Sequence, residues 1–265
     1  MYMKTRIISA IVAAAILVPI IVLGGKYFAI GMGVLGLLGY RELLNLKENA
    51  REIPIFIKLI GMALMLLLIF SEFDGFRIIY GLSYKALALV LLALYIPTLF
   101  YKNNVYTTRE AFYLTGIVLL LGLVFNSFIL IRSISIYLLV YLILICAVTD
   151  AFAMFTGMLI GRHKLCPLIS PKKTIEGSIG GTLIGSTVGV IFYINLVGDF
   201  SIKLILFTVL LSVIGQLGDL FFSKIKRENS IKDFSNIMPG HGGVLDRIDS
   251  LCFAALTYLV IISYI

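Results

Sequence analysis

The sequence is poor in charged residues. Charged side chains make up 14% of its 265 residues and hydrophobic ones 60%, whereas a soluble domain carries roughly 25% charged residues. A soluble globule of this length could not hide that much apolar surface from water, so the composition predicts a membrane protein. It also excludes a disordered chain, a secreted disulfide scaffold and a soluble protein that binds nucleic acid.

Tryptophan, histidine and cysteine are also scarce. The chain has no tryptophan, so tyrosines must supply the aromatic side chains at the membrane interfaces. Its two histidines are too few for a histidine-built metal site. The cysteines, Cys146, Cys166 and Cys252, are odd in number and lack metal-type spacing, so they imply no disulfide framework.

Hydrophobic runs fill most of the chain. A membrane-spanning helix needs about 20 mostly apolar residues, and the runs predict an all-α, polytopic membrane protein with about nine transmembrane helices. Their approximate limits are residues 6–24, 27–46, 54–71, 83–101, 111–131, 135–160, 176–198, 202–223 and 248–265. Short loops take up the remainder, so no separate soluble domain is expected.

The basic residues are distributed unequally between the two sides of this arrangement. Of the 22 Lys and Arg residues, 17 lie at the N-terminus or in the regions after spans 2, 4, 6 and 8, and five lie on the other side, Lys26, Arg77, Lys85, Arg132 and Lys203. Cytoplasmic loops are rich in Lys and Arg. We therefore expect a multi-pass protein of the cell (inner) membrane, in contact with anionic lipids, with a cytoplasmic N-terminus and an outside C-terminus.

Polar residues divide the chain into two regions. Residues 1–132 contain about five plain hydrophobic spans, whereas residues 133–265 contain about four spans together with predicted cytoplasmic loops at 161–176 and 224–247. The second region also carries acidic residues within or beside its spans. We therefore expect the chemistry in residues 133–265.

Three aspartates cluster at the predicted cytoplasmic ends of spans 8 and 9. Asp219 lies near the end of span 8, and Asp246 and Asp249 share one helical face at the start of span 9. A carboxylate at membrane depth costs at least about 2.5–3.5 kcal/mol unless it is compensated. Carboxylates suit Mg²⁺, which binds proteins through one or two of them together with substrate phosphates. The three aspartates therefore need cations, which Arg247, Lys226, a metal ion or all of these could supply.

A glycine-rich segment, Pro239-Gly240-His241-Gly242-Gly243, lies between these aspartates. Its backbone could approach a phosphate closely, and basic residues at Lys224, Lys226, Arg227 and Lys232 surround it. Acids for a metal and bases for phosphate suit phosphoryl or nucleotidyl transfer to a lipid head group. The alternative interpretation is a basic cytoplasmic loop with an interfacial histidine.

A second basic motif, Ser170-Pro171-Lys172-Lys173-Thr174, precedes span 7. Pro171 and the hydroxyl residues can start a helix, and two lysines at a helix N-terminus are unfavourable unless an anion binds there. The motif predicts a phosphate-binding site. Lysines that only set the orientation in the membrane are the alternative.

Two features lie within spans. Asp150 is roughly ten residues from the end of span 6, and we interpret it as part of a polar cavity or as a packing hydrogen-bond partner. Gly181, Gly185 and Gly189 repeat every four residues in span 7, which is typical of close helix packing. Such small-residue faces are also compatible with a homodimer.

The C-terminal motifs together resemble a known signature. Ser223-x-x-Lys226-Arg227-x4-Lys232-Asp233-x-Ser235, followed by Pro239-x-His241-Gly242-Gly243-x-x-Asp246-Arg247-x-Asp249, is similar to that of the phosphatidate cytidylyltransferase (CDP-diacylglycerol synthase) family. Met238 departs from the Leu, Ile or Phe expected there and affects only packing. The Ser170 motif and Asp150 also look like family features, whereas the first 140 or so residues resemble the family only in being hydrophobic.

The resemblance implies a Mg²⁺-dependent transfer of CMP from CTP to phosphatidic acid at the cytoplasmic face, with pyrophosphate as the second product. Asp219 and Asp246 would then hold one or two metal ions, and Asp249 would be a further ligand or orient one. In the same way Lys226 and Arg227 would neutralise phosphate charge and His241, Gly242 and Gly243 would shape the pocket. The expected substrate-binding residues are Asp150, Ser170, Lys172, Lys173, Thr174, Lys232, Gly242, Gly243 and Arg247.

Other functions remain open at this point. A CDP-archaeol synthase or a polyprenol or phytol kinase would also use CTP at a membrane, although the complete HGGxxDRxD string argues against both. A secondary transporter would explain nine helices and charges within the membrane. It would show inverted repeats with broken helices in both halves, whereas the polar residues of this chain are confined to one half.

Overall fold

The computed structural model of the protein describes residues 2–46, 53–71, 82–101, 105–240 and 242–261. Within these ranges nine α-helices follow the predicted apolar runs. They are α1 (Tyr2–Leu23), α2 (Gly25–Leu44), α3 (Ile55–Ile69), α4 (Leu82–Tyr95), α5 (Thr108–Ile134), α6 (Ile136–Ile160), α7 (Ile175–Leu196), α8 (Ile202–Glu228) and α9 (Leu245–Ile261). A short 3₁₀ helix, Ile96–Leu99, continues α4.

The helices are those of a membrane protein. Five in the described ranges, α2, α5, α6, α7 and α8, are long and apolar enough to cross a membrane. Shorter apolar stretches occur at Ile11–Leu23, Ile55–Ile69 and Lys85–Leu99. The prediction of a largely α-helical membrane protein is therefore confirmed. The number of nine spans, and the side of the membrane on which each terminus lies, stay predictions.

The helices flanking the second predicted loop are longer than hydropathy indicates. Helix α8 continues five residues past the predicted end to Glu228, and α9 begins three residues early at Leu245. Hydropathy marks where apolar sequence ends, but a helix can continue into polar sequence. Lys226 and Arg227 in the last turn of α8 favour this, because cations stabilise a helix C-terminus. The predicted loop 224–247 is thus helical at both ends.

The first predicted loop contains the only strands among the described residues. Strands β1 (Lys164–Cys166) and β2 (Ser170–Thr174) pair antiparallel, with Lys164 opposite Thr174 and Cys166 opposite Ser170. Pro171 lies in β2, so the prediction that it starts a helix is wrong, whereas the prediction that a hydroxyl residue of this motif starts one is confirmed at Thr174. Thr174 keeps an extended backbone, and its side chain accepts a hydrogen bond from the Gly177 amide as the N-cap of α7.

The chain forms two compact units. The first comprises Met1–Ser133 and Asp233–Leu245, and the second comprises Ile134–Lys232 and Asp246–Ile265. The sequence-based division at 132/133 differs from this one, because residues 233–245 belong with the N-terminal helices. The assignment of the chemistry to residues 133–265 stays a prediction.

In the second unit, α7 packs against α6 through its glycines. A Cβ atom on Gly185 would lie 2.1 Å from Thr149 Oγ1, and one on Gly181 would lie 2.5 Å from the Thr149 carbonyl oxygen. One on Gly189 would lie 2.7 Å from an Ile145 side-chain carbon. The predicted close helix packing is confirmed. Because this small-residue face is occupied within one chain, it gives no support to the predicted homodimer.

Candidate active site

Helices α8 and α9 approach each other closely beside Asp219. A Cβ atom on the preceding residue, Gly218, would lie 2.8 Å from Phe253 Cβ and 2.9 Å from the Asp249 carbonyl oxygen of α9. Asp219 Oδ1 accepts a hydrogen bond of 3.2 Å from the hydroxyl of Ser223, one turn further along α8. The absence of a side chain at Gly218 therefore allows α8 and α9 to pack closely beside Asp219.

A buried ion pair joins the last turn of α8 to the first turn of α9. Lys226 Nζ lies 2.7 Å from Asp246 Oδ1, and the two side chains are 10% and 2% exposed. The helix dipoles favour both positions, because the Lys226 cation lies at the C-terminus of α8 and the Asp246 anion lies at the N-terminus of α9. Removing one partner of such a pair leaves a buried charge uncompensated, which is costly. The pair therefore fixes the orientation of both side chains.

A second ion pair joins strand β2 to helix α8. Lys173 Nζ lies 2.5 Å from Asp219 Oδ2, and both side chains are partly buried. The neighbouring Lys172 is exposed, because successive strand residues point to opposite faces. Lys172 and Lys173 are strand residues that directly precede Thr174, the N-cap of α7, so both flank a helix N-terminus as expected, and Lys173 also contacts a predicted site residue.

Asp150 and Asp249 share the hydroxyl group of Ser250. The Ser250 hydroxyl donates to Asp150 Oδ2 at 2.9 Å and lies 3.4 Å from Asp249 Oδ1. Asp249 Oδ1 also accepts a 2.9 Å hydrogen bond from the Ser250 amide. This contact with α9 fits the interpretation of Asp150 as a packing hydrogen-bond partner, whereas the polar cavity stays a prediction. Ser250 is a residue of this cluster that sequence reasoning missed.

These groups form one electrostatic cluster within the second unit. Asp249 interacts electrostatically with Asp219, Asp150 and Lys226, and Asp150 also interacts with Lys173. With Asp246, the cluster holds four carboxylates and two ammonium groups. When all four carboxylates are ionised, the cluster carries two more negative than positive formal charges, which favours a further cation.

The three predicted metal ligands do not form one compact group. No set of three or more His, Cys, Asp or Glu side chains in the described residues is arranged to hold a metal ion. Asp219 and Asp246 instead pair with different lysines, Lys173 and Lys226. Lysine ammonium groups thus lie beside two of the three carboxylates, and metal binding by Asp219, Asp246 and Asp249 stays a prediction.

The other predicted basic residues lie outside this cluster. Arg227 is exposed, and its guanidinium donates to the carbonyl oxygens of Ile169 and Ile231 at 3.3 Å each. Lys232 and Arg247 are also exposed. Ile169 lies in the turn between β1 and β2, so the geometry gives Arg227 a role in holding the turn of the hairpin. Phosphate binding by these three residues stays a prediction.

Two hydroxyl residues of the Ser170 motif, Ser170 and Thr174, lie at the two ends of strand β2. Thr174 is buried and caps α7, so its hydroxyl is already hydrogen-bonded within the helix start. Ser170 lies at the beginning of β2, where it pairs with Cys166. Neither observation tests binding of phosphate by these residues.

The glycine-rich segment forms a tight turn in the first unit. Met238 and Gly242 exchange two backbone hydrogen bonds, of 2.9 and 3.1 Å. Gly240 and Gly242 have positive φ angles of 77° and 83°, a conformation that glycine adopts readily and most other residues do not. The glycines are therefore required by the turn itself, and the expected contact of Gly242 with phosphate stays a prediction. His241 lies outside the described residues.

Glu42, at the end of α2, is the principal residue that sequence reasoning missed. Its carboxylate is buried and accepts hydrogen bonds from Ser235, Val244 and Leu245. Gly243, which we expected to contact phosphate, lies directly against this carboxylate. A signal was present in the sequence, since a lone acid ending a long apolar run needs a partner.

Comparison with known proteins is consistent with this geometry. Residues 4–265 match the profile of the cytidylyltransferase family. The phosphatidate cytidylyltransferase of Bacillus subtilis is 36% identical over 258 residues, which cover 95% of this chain and 94% of that protein. The phosphatidate cytidylyltransferase of Staphylococcus haemolyticus is 36% identical over 259 residues, 95% of each chain. That of Staphylococcus saprophyticus is 34% identical over 255 residues.

A match over nearly the whole chain defines the class of the protein, which is a membrane nucleotidyltransferase. The chain belongs to the cytidylyltransferase family, and within it to the phosphatidate cytidylyltransferase type. The resemblance found in the C-terminal motifs is thereby confirmed and extends to the N-terminal helices.

Proposed function

We propose that this enzyme transfers CMP from CTP to phosphatidic acid and releases CDP-diacylglycerol and pyrophosphate. The observation that carries the proposal is the cluster of four carboxylates and two lysines on β2, α6, α8 and α9. Such a cluster suits a substrate that brings both phosphates and a divalent cation. The names of the relatives supply the two substrates.

The reaction is an in-line substitution at phosphorus. A phosphate oxygen of phosphatidic acid attacks the α-phosphorus of CTP, and the bond from this phosphorus to the oxygen bridging to the β-phosphate breaks. Pyrophosphate leaves with the electron pair. Phosphatidic acid is already an anion near neutral pH, so no general base is required. The protein contributes mainly by positioning the reactants and neutralising charge.

The donor groups of the cluster fit Mg²⁺. Carboxylates are hard oxygen ligands, and Mg²⁺ typically uses one or two of them and completes its coordination with waters and substrate phosphates. Asp219 and Asp246 would hold the ion, and Asp249 would bind it or orient a ligand. When bound, Mg²⁺ neutralises phosphate charge and polarises the reacting phosphoryl group.

The lysines have a role that follows from their pairing. Lys173 and Lys226 each lie against a carboxylate, so their ammonium groups are held beside the place where phosphates would enter. These ammonium groups would donate to phosphate oxygens if a bound divalent cation were to take over the neutralisation of the carboxylates. Lys173 and Lys226 therefore neutralise substrate charge in this proposal, and Ser223 and Ser250 orient the aspartates.

The cytoplasmic face is the side on which we place the reaction. The proposal is supported by the 17 basic residues that sequence assigns to that side, and it agrees with the supply of CTP from the cytosol. The alternative CTP-dependent lipid enzymes gain no support, since the relatives compared above are all named phosphatidate cytidylyltransferases.

The decisive test is pyrophosphate release by the purified protein from CTP and phosphatidic acid in detergent micelles or vesicles. We expect release that depends on both substrates, stops with EDTA and returns with excess Mg²⁺. CDP-diacylglycerol should form in equal amount. Absence of product from the wild-type protein would overturn the proposal.

A matched pair of variants then tests the cation site. Asp246→Asn keeps the size of the side chain and removes the charge, and we expect activity to fall by about 10²-fold or more, the loss typical of a group that stabilises the transition state. Asp199→Asn, an exposed acid outside both the cluster and the quoted signature, is the control and should retain activity. Full activity of Asp246→Asn would remove that residue from the proposed metal ligands.

A further inference from the structure

Glu42 occupies a position that is unfavourable for a carboxylate. It lies in the last turn of α2, at the negative end of the helix dipole, and its surface is only 2% exposed. Burial of a charged group is costly unless hydrogen bonds compensate it. The position is therefore explained only by what the carboxylate contacts.

Three donors from one segment of the chain converge on this carboxylate. Oε1 accepts from the Ser235 hydroxyl at 2.7 Å and from the Val244 amide at 2.8 Å. Oε2 accepts from the Leu245 amide at 3.0 Å. Leu245 is the first residue of α9, so the carboxylate acts as an N-cap supplied by another helix.

Gly243 completes the arrangement. A Cβ atom at this position would lie 2.3 Å from Glu42 Oε1 and 2.6 Å from its carboxyl carbon. Any side chain there would have to displace the carboxylate. The second glycine of the His241-Gly242-Gly243 sequence is therefore explained by its contact with Glu42.

We propose that Glu42 is a positioning residue of the active site, acting through the segment 235–245. Its carboxylate fixes both ends of the segment that contains the glycine-rich turn. It also fixes the backbone of Leu245, and Asp246 follows directly in the chain. The proposal rests on the proposed function, in which Asp246 helps to bind the divalent cation, and it gives the N-terminal helices a part in catalysis.

Binding of a ligand by Glu42 itself is the less favoured explanation. A cavity of about 190 Å³ beside it is lined by Arg41, Glu42, Asn45, Ser235 and Ile237. Pockets for ligands of drug size measure about 300–1,000 Å³, so this cavity is too small for a nucleoside triphosphate. Both carboxylate oxygens, moreover, already accept hydrogen bonds from the segment.

The first measurement is hydrogen–deuterium exchange on the full-length protein without metal or substrate. Glu42→Gln keeps the volume but replaces one acceptor oxygen with a donor. We expect the amides of Val244 and Leu245 to exchange about tenfold faster, the loss expected for a hydrogen bond to a charged acceptor. Glu110→Gln is the matched control, because Glu110 is also buried but its carboxylate accepts from Thr107 at the start of α5.

The second measurement separates positioning from general stability. We expect Glu42→Gln to lower kcat by about 10- to 100-fold and to raise the Mg²⁺ concentration for half-maximal activity, the range found when a group that orients a metal ligand is lost. Glu110→Gln should lower only the melting temperature. Ser235→Ala, which removes one donor and leaves two, should give a smaller shift of the Mg²⁺ dependence in the same direction.

A double variant tests the shared mechanism. Gly243→Ala should reproduce the effects of Glu42→Gln, and the double variant should be no worse than the poorer single one, since both act on one contact. Wild-type kcat and Mg²⁺ dependence in a folded Glu42→Gln or Ser235→Ala protein would overturn the proposal. Unchanged exchange in Glu42→Gln would do so as well. An inactive wild-type protein would instead overturn the proposed function, and exchange would still decide whether Glu42 holds the segment.

Discussion

At the scale of single residues, the ion pair between Lys226 and Asp246 joins stability to function. Because the pair is buried, removing either side chain leaves the other charge without a partner and poorly solvated by water. The same groups are those to which we assign cation and phosphate binding. Stability and activity should therefore respond differently when one or both partners are changed.

We expect Lys226→Met to destabilise the protein by about 3–5 kcal/mol, because Asp246 then loses its ammonium partner in a buried place. The double variant Lys226→Met/Asp246→Leu should recover most of that loss, since an apolar pair of similar size needs no compensation. Neither variant should form CDP-diacylglycerol. Thermal unfolding in detergent and the pyrophosphate assay measure the two properties. A double variant no more stable than Lys226→Met would contradict the account of the pair.

Lys172 and Lys173 offer a comparison between neighbours. Only Lys173 contacts a carboxylate of the cluster, whereas Lys172 is exposed. We expect Lys173→Gln to reduce kcat by about 10²-fold, as for loss of a charge-stabilising donor, and Lys172→Gln to leave it nearly unchanged. Steady-state kinetics with both substrates saturating decides between them. Equal losses would indicate that both lysines reach the substrate.

The aspartates could be predicted from sequence for a clear reason. A carboxylate near an apolar span is expensive, so its presence alone indicates a function. The same logic applied to Glu42 would have marked it as well. Its partners, however, lie about 200 residues away in sequence, and only the folded chain brings them together. Lys226 was among the cations that the sequence offered to these aspartates, and it pairs with Asp246. The pairing of Asp219 with Lys173, about 46 residues earlier in the chain, could not be predicted in the same way.

At the scale of elements, the glycines of α7 determine how closely two helices pack. The contact at Gly185 is among the closest, since an added Cβ would meet both the hydroxyl and the backbone of Thr149. A backbone cannot move aside as a flexible side chain can. The consequence can be tested with a pair of glycine substitutions.

We expect Gly185→Ala to destabilise the protein by about 1–3 kcal/mol, the usual cost of adding volume to a packed interface. Gly116→Ala is the control, because a Cβ atom on this α5 glycine would have no neighbour within 4 Å. Its effect should stay below about 1 kcal/mol. Melting temperatures of both variants in the same detergent provide the comparison. Equal melting temperatures would show that α6 and α7 adjust more easily than their packing indicates.

Element boundaries were predictable where hydropathy controls them and not elsewhere. The apolar runs anticipate all nine helices of the described residues, with boundaries that differ by up to six positions. The strand pair at 164–174 was missed, because Ser-Pro-Lys-Lys-Thr has turn and cap residues but no alternating apolar pattern. Its strand conformation is explained by pairing with Lys164–Cys166, which a local reading of Ser170–Thr174 cannot include.

At the scale of the whole molecule, the distribution of basic residues predicts the sidedness of the membrane protein. Asp199, after α7, and Lys232, after α8, are both exposed and fall on opposite predicted sides. In a background with Cys166→Ser, a membrane-impermeant maleimide should label Asp199→Cys on intact cells. It should label Lys232→Cys only after the cells are permeabilised. Labelling in the reverse order would invert the predicted topology and move the active site to the outer face.

The assignment of residues 233–245 to the first unit has a consequence for how the protein is made. Helices α1 to α5 leave the ribosome first, but the segment whose amides and hydroxyl bind Glu42 follows about 100 residues later. At a synthesis rate of about 5–20 residues per second, that delay is about 5–20 s. During this interval the Glu42 carboxylate of the N-terminal helices lacks the hydrogen bonds that Ser235, Val244 and Leu245 later donate to it. Their assembly is complete only when nearly the whole chain has been translated, so the two units cannot mature one after the other.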